Sequence, residues 1–427
     1  MRILLAAFLA CSAYAQTRPV VITAARMIDG ISDRVITPGL VVAFGGKIRP
    51  ASEAPRDAET IDLGDATILP GFIDAHTHLT LPYEADYRNF QLSTIEKNVA
   101  ERALDAAAIA RITLLAGFTS VRDVGAHDFV DAGLRNAIRN GKVPGPRMLV
   151  STSAIGATGG HCDDLSGYAY NTFGRESGIA DGVANGPDQM RAAVRFAIKY
   201  GADVIKTCAT GGVLSLTDDV DTPQLTQAEL DALVDEAHSL RRKTAAHAHG
   251  AEGAKRAIRA GIDSIEHGSF LDDEALELMK TKGTYYVPTL MAAVGLREAL
   301  EKGYFPPAVA AKARSAAASL DNTVRKAIAK QVKIAVGTDA GVYPHGRNAG
   351  EFVELVRLGM KPMDAIKAGT SIDAQLLGIS QITGSLEPNK SADIVVVSGN
   401  PLDDIKSVQN VIFVMKEGIV YKNDSRR

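Results

Sequence analysis

Apolar and polar positions along this chain follow two different rhythms. Near the start, short apolar runs stand between turn residues. Residues 20–24 and 40–44 are two such runs, and Gly45-Gly46 followed by Lys47-Ile48 predicts a hairpin return. Residues 60–63 and 67–69 continue the short-strand style. It comes back at 392–397 and 411–421, after the polar turn Glu387-Pro388-Asn389-Lys390. A β-like beginning and a β-like end predict one small β-sandwich assembled from both termini, residues 16–68 with 380–427.

Between residues 69 and 379 the rhythm changes to short apolar strands alternating with helix-like segments. Strands are expected at 71–75, 119–122, 147–150, 203–206, 244–246, 263–265, 285–287 and 333–336. Residues 226–240 open with Thr226-Gln227-Ala228-Glu229, a capping-box pattern, and then repeat apolar residues at helical spacing. Alternating strand and helix predicts an α/β fold with a parallel sheet, and eight units predict a closed (β/α)8 TIM barrel. An open doubly wound sheet is the rival. It lacks support because no Gly-x-Gly-x-x-Gly turn follows any of these strands.

Composition adds boundaries. The 427 residues exceed the roughly 250 typical of such a barrel, which leaves room for the terminal module. A formal net charge of −3, without a basic block, gives no reason to expect nucleic acid as a partner. Residues 1–15 read as a signal peptide: Arg2, an apolar run from Ile3 to Cys11, then Ala13-Tyr14-Ala15 before Gln16. The run is too short to span a membrane, so export to a periplasm or beyond, with cleavage after Ala15, is expected. Cleavage leaves only Cys162 and Cys208, which are expected to be small buried thiols rather than a disulfide framework.

The chemistry sits where the strands stop. Five of the eight expected strands run into a residue that a core strand does not otherwise favour: His76-Thr77-His78, Lys206, His247-Ala248-His249, Glu266-His267 and Thr338-Asp339. In a barrel all of these crown the C-terminal face, where catalytic residues of that fold collect. Residues i and i+2 of a strand share a side, so His76 and His78 can reach one ion. Neutral imidazoles with a carboxylate suit zinc and neighbouring divalent metals.

Residues 69–78, Leu69-Pro70-Gly71-Phe72-Ile73-Asp74-Ala75-His76-Thr77-His78, resemble the first-strand signature of the amidohydrolase superfamily. Lys206, His247, His267 and Gly337-Thr338-Asp339 follow in that superfamily's order, and the likeness covers nearly the whole mature chain. Within it, Gly159-Gly160-His161, Ile205-Lys206-Thr207-Cys208 and Ala246-His247-Ala248-His249-Gly250 are similar to a prolidase-like and carboxypeptidase-like branch. That branch includes enzymes that hydrolyse ochratoxin A.

The resemblance implies two zinc ions. One would be held by His76, His78 and Asp339, the other by His247 and His267, with Lys206 bridging them as an N-carboxylated lysine. An ammonium has no lone pair to offer a cation, so an unmodified Lys206 could not serve. Burial beside metals lowers a lysine's pKa and frees the amine to capture carbon dioxide. The implied reaction is attack of a metal-activated hydroxide on an amide carbonyl, with Asp339 as general base and then acid. The implied substrate is a dipeptide or N-acyl amino acid of the Xaa-Pro or Xaa-Phe type with a free carboxylate, ochratoxin A among them. A homo-oligomer is implied as well.

His249 lies two residues beyond His247 on the same strand face and is expected to touch substrate. His161, in a loop, is expected to stabilise the oxyanion or hold the carboxylate. Arg347 and Tyr168 are further candidate substrate contacts, with Tyr83 and Tyr170 comparable to Tyr168. His127, His238 and His345 have no supporting context. A lactonase or phosphoester hydrolase with the same centre is the nearer rival function. A non-catalytic periplasmic metal- or ligand-binding protein is the rival from another class. Asp339 argues against the second, since pure binding needs no base over an open coordination position.

Overall fold

The computed structural model describes residues 18–424, so the expected leader and its cleavage point after Ala15 lie outside the described residues. Two of its sheets are built from the chain ends. One runs Lys47–Arg49, Gly39–Phe44, Val20–Ala24, Glu59–Asp62. The other runs Ile419–Asn423, Val411–Lys416, Ile394–Ser398, Ala66–Pro70, Arg26–Met27, so N-terminal and C-terminal segments pair directly. Their inward residues, Ile22, Val41 and Ile61 from one sheet with Ile68, Ile394 and Phe413 from the other, belong to a single apolar cluster. Burial alternates along Val20–Ala24, as a strand with one covered face requires.

The middle of the chain forms two parallel sheets with helices between the strands. Phe72–Thr77, Phe118–Asp123 and Arg147–Val150 make the first. Val204–Cys208, Lys243–Gly250, Ser264–Phe270 and Tyr285–Val287 make the second. Backbone contacts run on between them: Asp203 N donates to Val150 O at 2.7 Å, and Ile155 bridges Thr207 in parallel. These strands are buried almost throughout, as parallel strands covered on both faces are. The helix Gln227–Ser239 begins with the expected capping box, Thr226 accepting from Glu229 N while Glu229 accepts from Thr226 N.

One expected element differs. Residues 333–336 do not form a ladder strand but touch their neighbours by single bridges, Tyr286 to Ile334 and, further on, Thr77 to Ala340. Ala75 N donates to Val336 O at 2.8 Å, yet Val336 N turns instead to the buried Asp373 carboxylate at 3.1 Å. Gly337 follows, and a Cβ there would lie 2.3 Å from Val287 Cγ1 and 2.7 Å from His76 Cβ. Only a glycine lets residues 337–339 press this closely on the His76 strand.

No described helix is long and apolar enough to cross a membrane.

Candidate metal centre and substrate cavity

Because the central strands are parallel, their C-terminal ends emerge at one end, and a cavity of about 340 Å³ opens there. His76, His78, Lys206, His247, His267 and Asp339 all line it, as do His161, His249 and Tyr168. The strand-end residues expected from sequence are thus gathered in one place.

The chain reaches this place by leaving regular backbone. His267 and Asp339 both sit at positive φ, 67° and 56°, the left-handed region that non-glycine residues avoid. Such strain persists where surrounding structure holds it, commonly at functional sites. Asp339 Oδ1 lies 3.2 Å from His78 Nε2 and 3.5 Å from His76 Nε2. Ligand atoms of His76, His267 and Asp339 fall within 4.8 Å of one another. His267 therefore faces the His76 ion position as well as His247, whose ring centroid is 4.6 Å away.

The outer nitrogen of each ring is already engaged. His76 Nδ1 donates to Glu266 at 2.8 Å, and His78 Nδ1 donates to the Gly125 carbonyl at 3.1 Å. His267 Nδ1 is 2.8 Å from Thr289 Oγ1, and His247 uses Nε2 to donate to the Gly211 carbonyl at 3.1 Å. With its inward nitrogen deprotonated, each ring can offer that nitrogen to a cation, through Nε2 in His76, His78 and His267 and through Nδ1 in His247. Metal-ligating histidines are oriented in this way. The donor set fits divalent metal ions.

Electrostatics agree. Burial alone would raise the Asp339 carboxyl, but hydrogen bonds from His76 and His78 hold it far below the usual range, so it is an anion. Burial pushes Lys206 down to about 8, and its ammonium makes no hydrogen bond or ion pair among the described residues. Burial likewise pushes His247 and His267 well down, and His249 to about 3, so these rings are neutral donors. Glu266 is held at about 2 despite its burial, chiefly by Arg122, whose guanidinium is 2.9 Å away, and by His76.

Sequence reasoning assigned no role to Glu266, Arg122 or Thr289, which touch no ion position themselves but fix the rings that do. An acid directly before His267 near the end of a strand is the available signal. It also gave no role to His127, which lines the cavity 3.3 Å from Asp164. His238 pairs with Asp263 at 2.8 Å on its helix, and His345 Nε2 donates to the Leu81 carbonyl at 2.9 Å.

The remaining candidate residues are placed less as expected. His249 holds Ser269 Oγ at 2.9 Å through Nδ1. His161 Nδ1 is 3.1 Å from Ser215 Oγ, whose own proton goes to Asp218 at 2.6 Å, so His161 is the donor and Nε2 is left as an acceptor. Burial lowers this ring to about 4, so it faces the cavity as a neutral imidazole. Tyr168 donates to Gln91 Oε1 at 3.2 Å at the cavity wall. Arg347 is a correction. It is absent from the cavity lining, and Glu298 grips its guanidinium at 2.7 and 3.0 Å. Tyr83 lines a separate small recess, and Tyr170 is 92% exposed.

The cysteines are a second correction. Cys162 and Cys208 form a disulfide rather than two thiols, with Cα atoms 5.9 Å apart. The bridge between Ile155 and Thr207 carries the loop's cysteine beside the strand's. It ties the His161 loop to the Lys206 strand.

Comparison with known proteins fits this picture. Residues 67–420 match the amidohydrolase family model. The Aspergillus niger ochratoxinase is 35% identical over 376 residues, covering 83% of this chain and 75% of that protein. A Xaa-Pro dipeptidase solved with methionine bound in its active site superposes with a TM-score of 0.91 at 42% identity, over 95% of this chain and 100% of that one. A prolidase complexed with N-methylphosphonate-L-proline superposes with a TM-score of 0.85 at 30% identity, over 95% and 100% of the two chains.

Proposed function

The chain belongs to the amidohydrolase family and is a hydrolytic enzyme acting on amide bonds, and from that premise we propose a two-zinc enzyme that releases a C-terminal residue from dipeptides or N-acyl amino acids. Xaa-Pro and Xaa-Phe compounds, and ochratoxin A with its phenylalanine amide, are the substrates proposed. The observation that carries the reading is the set of inward ring nitrogens around Asp339, each fixed by a partner on its outer nitrogen. His76, His78 and Asp339 would hold one ion and His247 and His267 the other, with Lys206, as a carbamate, supplying oxygen ligands. The lowered pKa of Lys206 and its lack of a partner support that modification.

The two ions, when bound, supply a water of lowered pKa and polarise the amide carbonyl. Asp339, an anion at the centre, accepts the proton of the attacking water and passes it to the departing nitrogen. His161 and His249 orient the substrate, His161 through its acceptor nitrogen. Tyr168 borders the substrate's entry.

We place the two parallel sheets and residues 333–340 in one closed (β/α)8 barrel over residues 69–379, supported by the parallel bridges at Ile155, Ile334 and Ala340. The terminal sheets form a β-sandwich over 16–68 and 380–427, supported by their shared cluster. Export after cleavage at Ala15 is supported by the disulfide, which persists in oxidising compartments. A homo-oligomer follows from the resemblance alone.

The test is a panel of Xaa-Pro, Xaa-Phe and N-acyl amino acids, with ochratoxin A, given to the zinc-loaded enzyme. Release of the free C-terminal residue is expected. Cleavage confined to compounds without a free carboxylate would overturn the substrate class.

A further inference from the structure

One wall of the cavity is unlike the rest. It comes from two helices, Leu290–Glu301 and Pro307–Ala329, that pack on each other, the second also on the strand Ser264–Phe270. Thr289, just before the first helix, touches His267 Nδ1 with its hydroxyl at 2.8 Å. Ala292, Ala293 and Leu296 follow at the three- and four-residue steps that keep to one helix face, and all three line the cavity. On the second helix Thr323 donates its hydroxyl to Ser269 O at 2.9 Å, two residues beyond His267. Leu320, Ala317 and Ala316 lie three, six and seven positions before it, again on one face and again lining the cavity. One end of each face is therefore fixed beside the metal centre by a threonine.

None of these six residues carries a charge, and all are buried. Alanines on this wall, where larger side chains would fill the space, leave a slot bordered by Leu296 and Leu320. Resting on the hydrolase reading above, we propose that this slot determines specificity: it takes an apolar side chain of leucine to phenylalanine size flanking the scissile amide. Ala293 and Ala317 set its width and Leu320 its depth. The side chain enters beside Thr289 and His267, which brings the neighbouring carbonyl to the ion positions. A charged side chain has no partner there and is refused.

The experiment compares kcat/KM ratios, with zinc content and melting temperature verifying each variant. One arm measures N-acetyl-L-phenylalanine over N-acetyl-L-alanine, the other Phe-Pro over Ala-Pro. Ala317→Leu and Ala293→Leu should each lower the ratio at least tenfold in one arm, because a few methylenes of pocket space discriminate by that order. Leu320→Ala should shift preference in the same arm from phenylalanine towards naphthylalanine. Both ratios unchanged in all three variants would overturn the slot. Should the wild type cleave no amide, the hydrolase reading fails by itself, and calorimetry with free L-phenylalanine and L-alanine decides the slot. The wild type should bind phenylalanine at least tenfold tighter and Ala317→Leu should lose that preference. Equal binding in the wild type would overturn it.

Discussion

The strand ends and the loops that face them share one cavity but are built on opposite principles. Strand-end residues are held by backbone geometry that repeats every two positions, and their side chains are then pinned by buried partners such as Glu266 and Thr289. Loop residues are each held by a side chain distant in sequence, on a helix or another loop: Tyr168 by Gln91, His161 by Ser215, Arg347 by Glu298. A site of this construction keeps its chemistry fixed while its selectivity can drift. Substitutions at the strand ends should accordingly cost rate or metal, and those in the loops only binding.

The largest effect is expected at Asp339. Asp339→Asn keeps the shape but loses the base, and kcat should fall by about 10³-fold or more with little change in melting temperature. Near-normal turnover would put the base elsewhere. Next comes Glu266→Gln, which touches no ion position. By loosening His76 it should weaken zinc affinity by about 10- to 100-fold, measured by competition with a chelating dye. Affinity unchanged there would mean that buried partners do not tune the site. Tyr168→Phe removes one wall hydroxyl and should raise KM by about 2- to 10-fold at constant kcat. A fall in kcat instead would erase the distinction between the two regions. The smallest effect belongs to Arg347→Ala, where loss of an exposed pair with Glu298 should change kcat/KM by no more than about twofold.

The same contrast explains what could be read in advance. His76 and His78 were legible because i and i+2 share a strand face and because an apolar run precedes them. Lys206, His247 and His267 were legible because each lies towards the end of a core strand that has no other use for it, and Asp339 because it follows a short apolar run and a glycine. Seven of the eight expected central strands are present. The segment at 333–336 failed because Asp373, distant in sequence, takes the amide of Val336 that a ladder would use. Arg347 failed because its partner Glu298 lies 49 residues away on a helix, and no local pattern announces the pair. The disulfide was missed for a related reason. Cys162 and Cys208 are 46 residues apart, and only the fold brings them together. The alanine-lined slot was equally hidden, since buried alanines in a helix read as ordinary packing until the cavity beside them is seen.

The central claim is a two-ion centre bridged by Lys206, and metal stoichiometry tests it most directly. Wild-type protein and Lys206→Ala are stripped, reloaded with zinc in the presence of bicarbonate, freed of excess metal and analysed for zinc per chain. Two ions in the wild type and no more than one in the variant are predicted, since the alanine offers no bridging oxygen. Two tightly held ions in the variant, or one at most in the wild type, would contradict it.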